Sequence, residues 1–397
     1  MPKSISMPRN LNNAELRVSV THSLSEVPVA DWDALGDTSY PFTRHCFLYG
    51  LELHDCLEPF GWHPVYFLIH RQQQLIAAIP CYIKTNSYGE LVFDHAWVNA
   101  YQRSGLDYYP KLVSAIPYTP ATGDRFLINL ALVCDKDETQ RLREMLCQAI
   151  QGFCEEQNLS SWHILFADKE ILEALSGREV MLRNDVQFHW QNNGYRDFDD
   201  FISNLSSRKR KNIRKERSSV AAQNLDLQMQ PGGSINPDEW QQIYHLYAGI
   251  YQRKYGTATL TSAFFEHLGQ NMPEQVLASI TRDQGQIVAA SLFFRSDTHL
   301  YGRVWGCDQY FRHLHFECCY YRGIDYCIAE KLQCFDPGAQ GEHKLARGFL
   351  PKMTWSGHWI AHPQFREAIE QFLRQERRYI ESYRDDLLDH SPFKATE

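Results

Sequence analysis

The heptapeptide Gln74-Leu75-Ile76-Ala77-Ala78-Ile79-Pro80 returns in altered form as Gln286-Ile287-Val288-Ala289-Ala290-Ser291-Leu292, 212 residues further along a chain of 397. A repeat at half the chain length constrains the fold strongly, because each copy must build the same supersecondary unit. Each copy follows a β-type run (residues 64–70 and 275–281) and a short polar turn (Arg71-Gln72-Gln73 and Arg282-Asp283-Gln284-Gly285), the pattern of a hairpin. A third strand is expected at residues 90–94 and 299–305. A helix comes next in each half: Leu142, Met145, Leu146, Ala149, Ile150 and Phe153 recur at helical spacing, and residues 314–332 are apolar on most sides. Short strands at 162–167 and 334–337 close the two halves, and helices precede the hairpins at 43–56, 237–255 and 262–270. The expected fold is α/β (α+β), with a mixed sheet flanked by helices in each half. The boundary is expected between Ser176 and Asn193. An amphipathic helix with Phe365, Ile369, Phe372, Leu373, Ile380 and Tyr383 on one face is expected to end the chain.

Forty Lys and Arg against 48 Asp and Glu give a net charge of −8, which excludes a surface built throughout for nucleic acid. The eleven cysteines include no C-x-x-C pair, so neither a disulfide framework nor a zinc site is expected. Residues 1–12 lack the apolar core of about 7–15 residues that a signal peptide needs. The longest apolar runs stop far short of the roughly 20 residues of a membrane-spanning helix. The expectation is a cytoplasmic protein with no membrane span.

Three segments concentrate chemistry. From Arg208 to Arg217 seven of ten residues are basic, with Glu216 the one acid. Phe201, Leu205, Ile213 and Val220 lie near one helical face, so this segment should be a docked helix with outward charges. Arg208, Lys209, Arg210, Lys211 and Arg214 are its candidate phosphate-binding residues. The second segment runs from Arg303 to Gly323, where a strand ends and a buried helix begins. His315 and Glu317 stand at that helix start, where the helix dipole favours a carboxylate and burial perturbs titration. A metal site at His313 and His315 lacks a third ligand at suitable spacing, so no metal is expected. The third is the glycine-rich loop from Asp336 to Pro351, placed after a strand as ligand loops of α/β sheets are. In it Lys344 and Arg347 can neutralise phosphate or carboxylate, and Glu342 or His343 can move protons. Arg303 is a further candidate for phosphate.

These segments resemble the FemAB-like predicted N-acyltransferases of bacteria. The resemblance rests on Ser206-Ser207-Arg208-Lys209-Arg210-Lys211 with Ile213-Arg214, Leu314-His315-Phe316-Glu317 with Tyr320-Tyr321, and Gly341-Glu342-His343-Lys344 with Arg347-Gly348-Phe349. Trp62, Val92-Phe93-Asp94, Tyr109-Pro110-Lys111-Leu112 and Thr119-Pro120-Ala121-Thr122-Gly123 extend it into the first half. It implies two tandem GNAT-like domains, at 14–180 and 186–360, with the C-terminal helix at 361–390. It also implies transfer of an acyl or aminoacyl group from charged tRNA or acyl-CoA, as cosubstrate, to an amine, such as that of a cell-wall or nucleotide-linked precursor. No permanently bound cofactor is implied. Residues 306–313 lack the Arg/Gln-x-x-Gly-x-Gly/Ala loop that holds CoA pyrophosphate in GNAT enzymes, and residues 102–107 match it only in part. Glu317 is the first choice as base, with Glu342 or His343 as alternates, and Glu317→Gln is expected to abolish transfer. The alternatives are a non-catalytic binding protein for an anionic ligand and a plain acyl-CoA-dependent N-acetyltransferase acting on a small amine.

Overall fold

A computed structural model describes residues 16–253, 256–339 and 341–394. The reading of residues 1–12, the last two residues of the 237–255 helix and Gln340 in the glycine loop lie outside them. The chain divides into two compact units. One comprises Met1–Thr38, Phe42–Asp185 and Thr354–Ile380, the other Ser39–Pro41, Val186–Met353 and Glu381–Glu397. The division falls inside the strand Met181–Gln191.

In the first unit the hairpin Trp62–Arg71 and Gln74–Lys84 has Leu16–Thr21 on one flank and Lys111–Ser114 on the other. Lys111–Ser114 then pairs in parallel with Ser161–Leu165. In the second unit the hairpin Val276–Asp283 and Gln286–Arg295 has Asp226–Pro231 on one flank and His299–Cys307 on the other, which pairs in parallel with Cys334–Asp336. The order is the same, so the heptapeptide repeat marks a repeated sheet. Both hairpins close through two residues, with Gln72 in one and Gln284 and Gly285 in the other at positive φ, the tight turns whose twist suits paired strands. Both also carry a register shift just beyond the turn.

The expected strand at 90–94 is a correction. This stretch is irregular, Leu91 has a positive φ, and the third strand of the first unit is Lys111–Ser114. The cause is ionic. Glu90 and Asp94 turn inward to the fully buried Lys111, whose Nζ donates to Glu90 Oε2 at 2.8 Å and also to Asp94, while Phe93 between them is exposed. Asp94 also accepts from the Tyr108 hydroxyl at 2.6 Å and from Ser87 at 2.7 Å. Tyr108 in turn meets His163 Nε2 at 3.1 Å, and the two buried imidazoles His163 and His358 share a hydrogen bond between their Nδ1 atoms at 2.7 Å. Burial raises Glu90 to about 7 against the pull of Lys111, whereas for Asp94 the lysine outweighs burial and holds the carboxyl far down.

The helix Lys136–Glu156 lays Leu142, Leu146, Ile150 and Phe153 on the first core beside Phe67, Ile79 and Trp162. Residues 356–360 of the strand Leu350–Ile360 pair with Ser161–Leu165 and so belong to this first unit. The final helix, Pro363–Asp389, contributes Ile369 and Leu373 to a cluster with Trp97, Tyr101 and Tyr108. In the second unit Tyr320, Tyr321, Ile324 and Ile328 fill the core with Trp190, Phe201 and Phe335. Gly323 packs where a Cβ would stand 2.4 Å from the Phe335 ring.

Candidate functional site

The functional candidates of the second unit gather where three local structures converge. The helix Ser207–Ala221 carries the basic segment. Its buried residues Ile213 and Val220 define the docked face, and Glu216 and Arg217 fall between them at helical spacing. The second element begins with His313, at φ 62, and passes from Leu314–Phe316 into a π-turn, Glu317–Tyr321, before Arg322–Ala329. The third is the short helix Glu342–Arg347, set between Gly341 and Gly348, both at positive φ.

Arg347 ties the three together. Its Nε and Nη2 donate to the two oxygens of Glu216 at 3.2 and 2.7 Å, its Nη1 to the His343 carbonyl at 2.7 Å, and its guanidinium lies 3.5 Å from the Phe316 ring centroid. Glu216 also accepts from the Tyr321 hydroxyl. Next along the basic helix, Arg217 donates to Glu317 Oε1 at 3.0 Å and to Asp325 Oδ2 at 2.7 Å, and stacks on Phe198. Glu317 is 4% exposed and also pairs with Arg322 at 3.3 Å; its Oε2 has no hydrogen-bond partner among the described residues. Burial raises the Glu317 pKa, and Arg217 and Arg322 oppose that shift.

His343 is placed differently. It is an exposed residue, and its Nε2 lies 2.8 Å from the hydroxyl of buried Tyr320. Burial, then the charges of Arg347 and Lys344, lower its pKa from the usual 6.5, so it is neutral at pH 7. In the tautomer whose Nε2–H donates to the Tyr320 oxygen, Nδ1 is left as the acceptor; in the other, the Tyr320 hydroxyl donates to Nε2. His315 lies 6.4 Å away, centroid to centroid, edge-on to Trp305, and burial drives its pKa to about 4. Gly341 makes room for His343: a Cβ there would come within 2.6 Å of Cε1. Gly341→Ala should therefore cost about 1–3 kcal/mol of backbone strain and push the imidazole off Tyr320. Imidazole NMR signals are the readout, and an unmoved His343 resonance would refute this role.

The other candidates are placed as follows. Lys344 is buried, donates to the carbonyls of Gly338 at 2.6 Å and Ala339 at 3.3 Å, and is lowered by burial to about 8. Arg303 turns to buried Asp336 at 2.8 Å. Thus Arg303, Lys344 and Arg347, read from sequence as phosphate ligands, make their shown contacts within the protein. Glu342 is exposed and accepts from Tyr383 at 2.6 Å. On the basic helix Arg208, Lys211 and Lys215 are exposed, Lys209 is half-buried, Arg210 reaches the Ser203 carbonyl at 3.2 Å, and exposed Arg214 pairs with Asp199 at 3.0 Å. Sequence reasoning missed Glu216, Arg217, Tyr320 and Asp325 as site residues. The spacing 213, 216, 217, 220 was the signal that could have found the first two.

No curated protein matches the chain. Among solved structures it is similar to FemX (8% identity, 80% of this chain and 93% of that chain, TM-score 0.49). It is also similar to a tandem GNAT protein from the clavulanic acid biosynthesis pathway (10% identity, 88% and 99%, TM-score 0.45). A third is L-PGS from Bacillus licheniformis (8% identity, 75% and 86%, TM-score 0.43). No described helix is long and apolar enough to cross a membrane. The FemAB-like family profile, described as peptidoglycan biosynthesis/recognition, matches residues 23–395, and the chain belongs to that family.

Proposed function

We propose that this protein is an N-acyltransferase whose second unit moves an acyl or aminoacyl group from an activated ester on tRNA to an amine of a cell-wall precursor. Family membership supports the reaction class. The observation that carries the chemistry is the exposed, neutral His343 held by Tyr320. An activated ester already has a good leaving group, so the enzyme must orient the amine and take its proton. The amine nitrogen attacks the ester carbonyl, the C–N bond forms as the C–O bond to the ribose breaks, and His343 Nδ1 accepts the amine proton. Returned to the departing oxygen, that proton restores the neutral imidazole. Glu317, enclosed and paired with two guanidiniums, is in this scheme a positioning residue that holds Arg217 and the π-turn. Of the earlier candidates for the base, His343 replaces Glu317 for reasons of access.

The exposed charges of the basic helix, anchored to the His343 loop through Glu216 and Arg347, supply attraction for the phosphates of tRNA. Replacing Arg208, Lys211 and Lys215 by Glu should weaken tRNA binding more than tenfold and lower the log–log salt slope by about 2–3. Filter binding across a salt series measures both, and an unchanged slope would remove this helix from the tRNA interface. The activity itself is tested by incubating the protein with aminoacyl-tRNA or acyl-CoA and a panel of amine-bearing precursors. Deacylation of tRNA that depends on the acceptor supports the reading. Thiol release from CoA alone would transfer the protein to the CoA-dependent class, and binding without turnover would make it a binding protein.

A further inference from the structure

The outermost strand of the first sheet, Leu16–Thr21, and the helix Val29–Asp33 border a cavity of about 210 Å3. It is smaller than the roughly 300–1,000 Å3 of drug-sized pockets. Arg17, Glu26, Asp31 and His70 line it, and Leu68 and Leu75 add apolar wall. The Glu26 carboxylate is already occupied by the Thr21 hydroxyl at 2.7 Å. Arg17 and Asp31 differ: both are exposed, and neither side chain has a hydrogen-bond or ion-pair partner among the described residues. His70 completes the set, with a buried Nδ1 that no described group satisfies. Unsatisfied buried nitrogens are rare, because the lost hydration is not replaced. Arg17 is the cross-strand partner of His70, and both line the cavity with Asp31.

A guanidinium and a carboxylate without partners among the described residues, on the wall of one small cavity, form a complement to a molecule bearing both charges. We propose that this cavity binds a free α-amino acid with a small uncharged side chain, its carboxylate on Arg17, its ammonium on Asp31, and its side chain against Leu68 and Leu75. The guanidinium fork suits a carboxylate. The lining is net negative with Glu26 counted, which disfavours a simple anion. A free carboxylate is what an activated aminoacyl ester lacks, so the ligand here differs from the donor of the proposed reaction. The site stands whether or not that reaction is confirmed.

Calorimetric titration of the whole protein with L-alanine and L-valine tests the proposal, with ethylamine and propionate as single-charge probes. Saturable binding of at least one amino acid is expected, with each single-charge probe at least tenfold weaker. Arg17→Met and Asp31→Asn alter exposed side chains, so both variants should fold, which circular dichroism checks, and each should weaken binding tenfold or more. Absence of saturable binding by both amino acids at millimolar concentration overturns the proposal. So does affinity unchanged in both variants, or ethylamine binding as well as alanine.

Discussion

Lys111→Met should destabilise the first unit by about 3–5 kcal/mol, the range for breaking a buried ion pair by removing one partner. Lys111 is fully buried, and the carboxylates it holds are nearly so, with side chains 2% and 4% exposed. Without the ammonium, Glu90 and Asp94 would stand as two like charges in a core, and both pKa values would rise above their unfolded values. The sign of the pH dependence follows. Carboxyls raised in the folded state oppose folding above their unfolded pKa and cease to do so when protonated, so the deficit should be largest near pH 8 and shrink toward pH 5. Adding Glu90→Gln and Asp94→Asn to Lys111→Met should recover much of the loss, since neutral amides remove the stranded charge. Urea midpoints for the three proteins at both pH values measure this. A deficit below about 1 kcal/mol, the value of an exposed pair, would show that Lys111 does not hold the cluster.

The second large effect concerns turnover. His343→Gln should lower kcat/KM by about 10²–10⁴, the usual share of a general base, with little change in the melting temperature because His343 is an exposed residue. The pH profile separates a base from a residue that only shapes the loop. Because the His343 pKa is lowered, the basic form persists below the ordinary midpoint of 6.5, so the acid limb of the wild-type profile should fall below that value. That limb should vanish in His343→Gln. Tyr320→Phe removes the hydroxyl that holds His343 Nε2 and should reduce kcat more than KM while keeping the limb. A His343→Gln enzyme with wild-type kcat/KM would exclude His343 as the base.

Much of the sheet was legible because hairpins are local: the polar turns and paired β-type runs at 64–84 and 275–292 carry their own register. What failed was long-range. The Glu90-to-Asp94 stretch looks like a strand with acids at its ends, yet the acids turn inward and Phe93 outward, because the ammonium that reverses them comes from residue 111. In the site, the sequence located the basic helix, the helix start at Glu317 and the glycine loop. It could not separate cations that wait for a ligand from cations already satisfied. Arg303, Lys344 and Arg347 carry the right charge, but Asp336, two loop carbonyls and Glu216 hold them. Glu216 and Arg217 were hidden by the opposite error, as members of a charge run whose helical phase places them with Ile213 and Val220.

The pairing of residues 356–360 with Ser161–Leu165 bears on biosynthesis. A ribosome releases Trp162 and His163 almost two hundred residues before His358 and Trp359, their partners across the sheet, exist. Until then the first unit is a nascent sheet with an open edge, such as invites pairing with foreign strands. Chains stopped near residue 185 would keep that edge permanently, without the strand that covers it. The sheets repeat like separable modules, but the first is finished only after the second has been made.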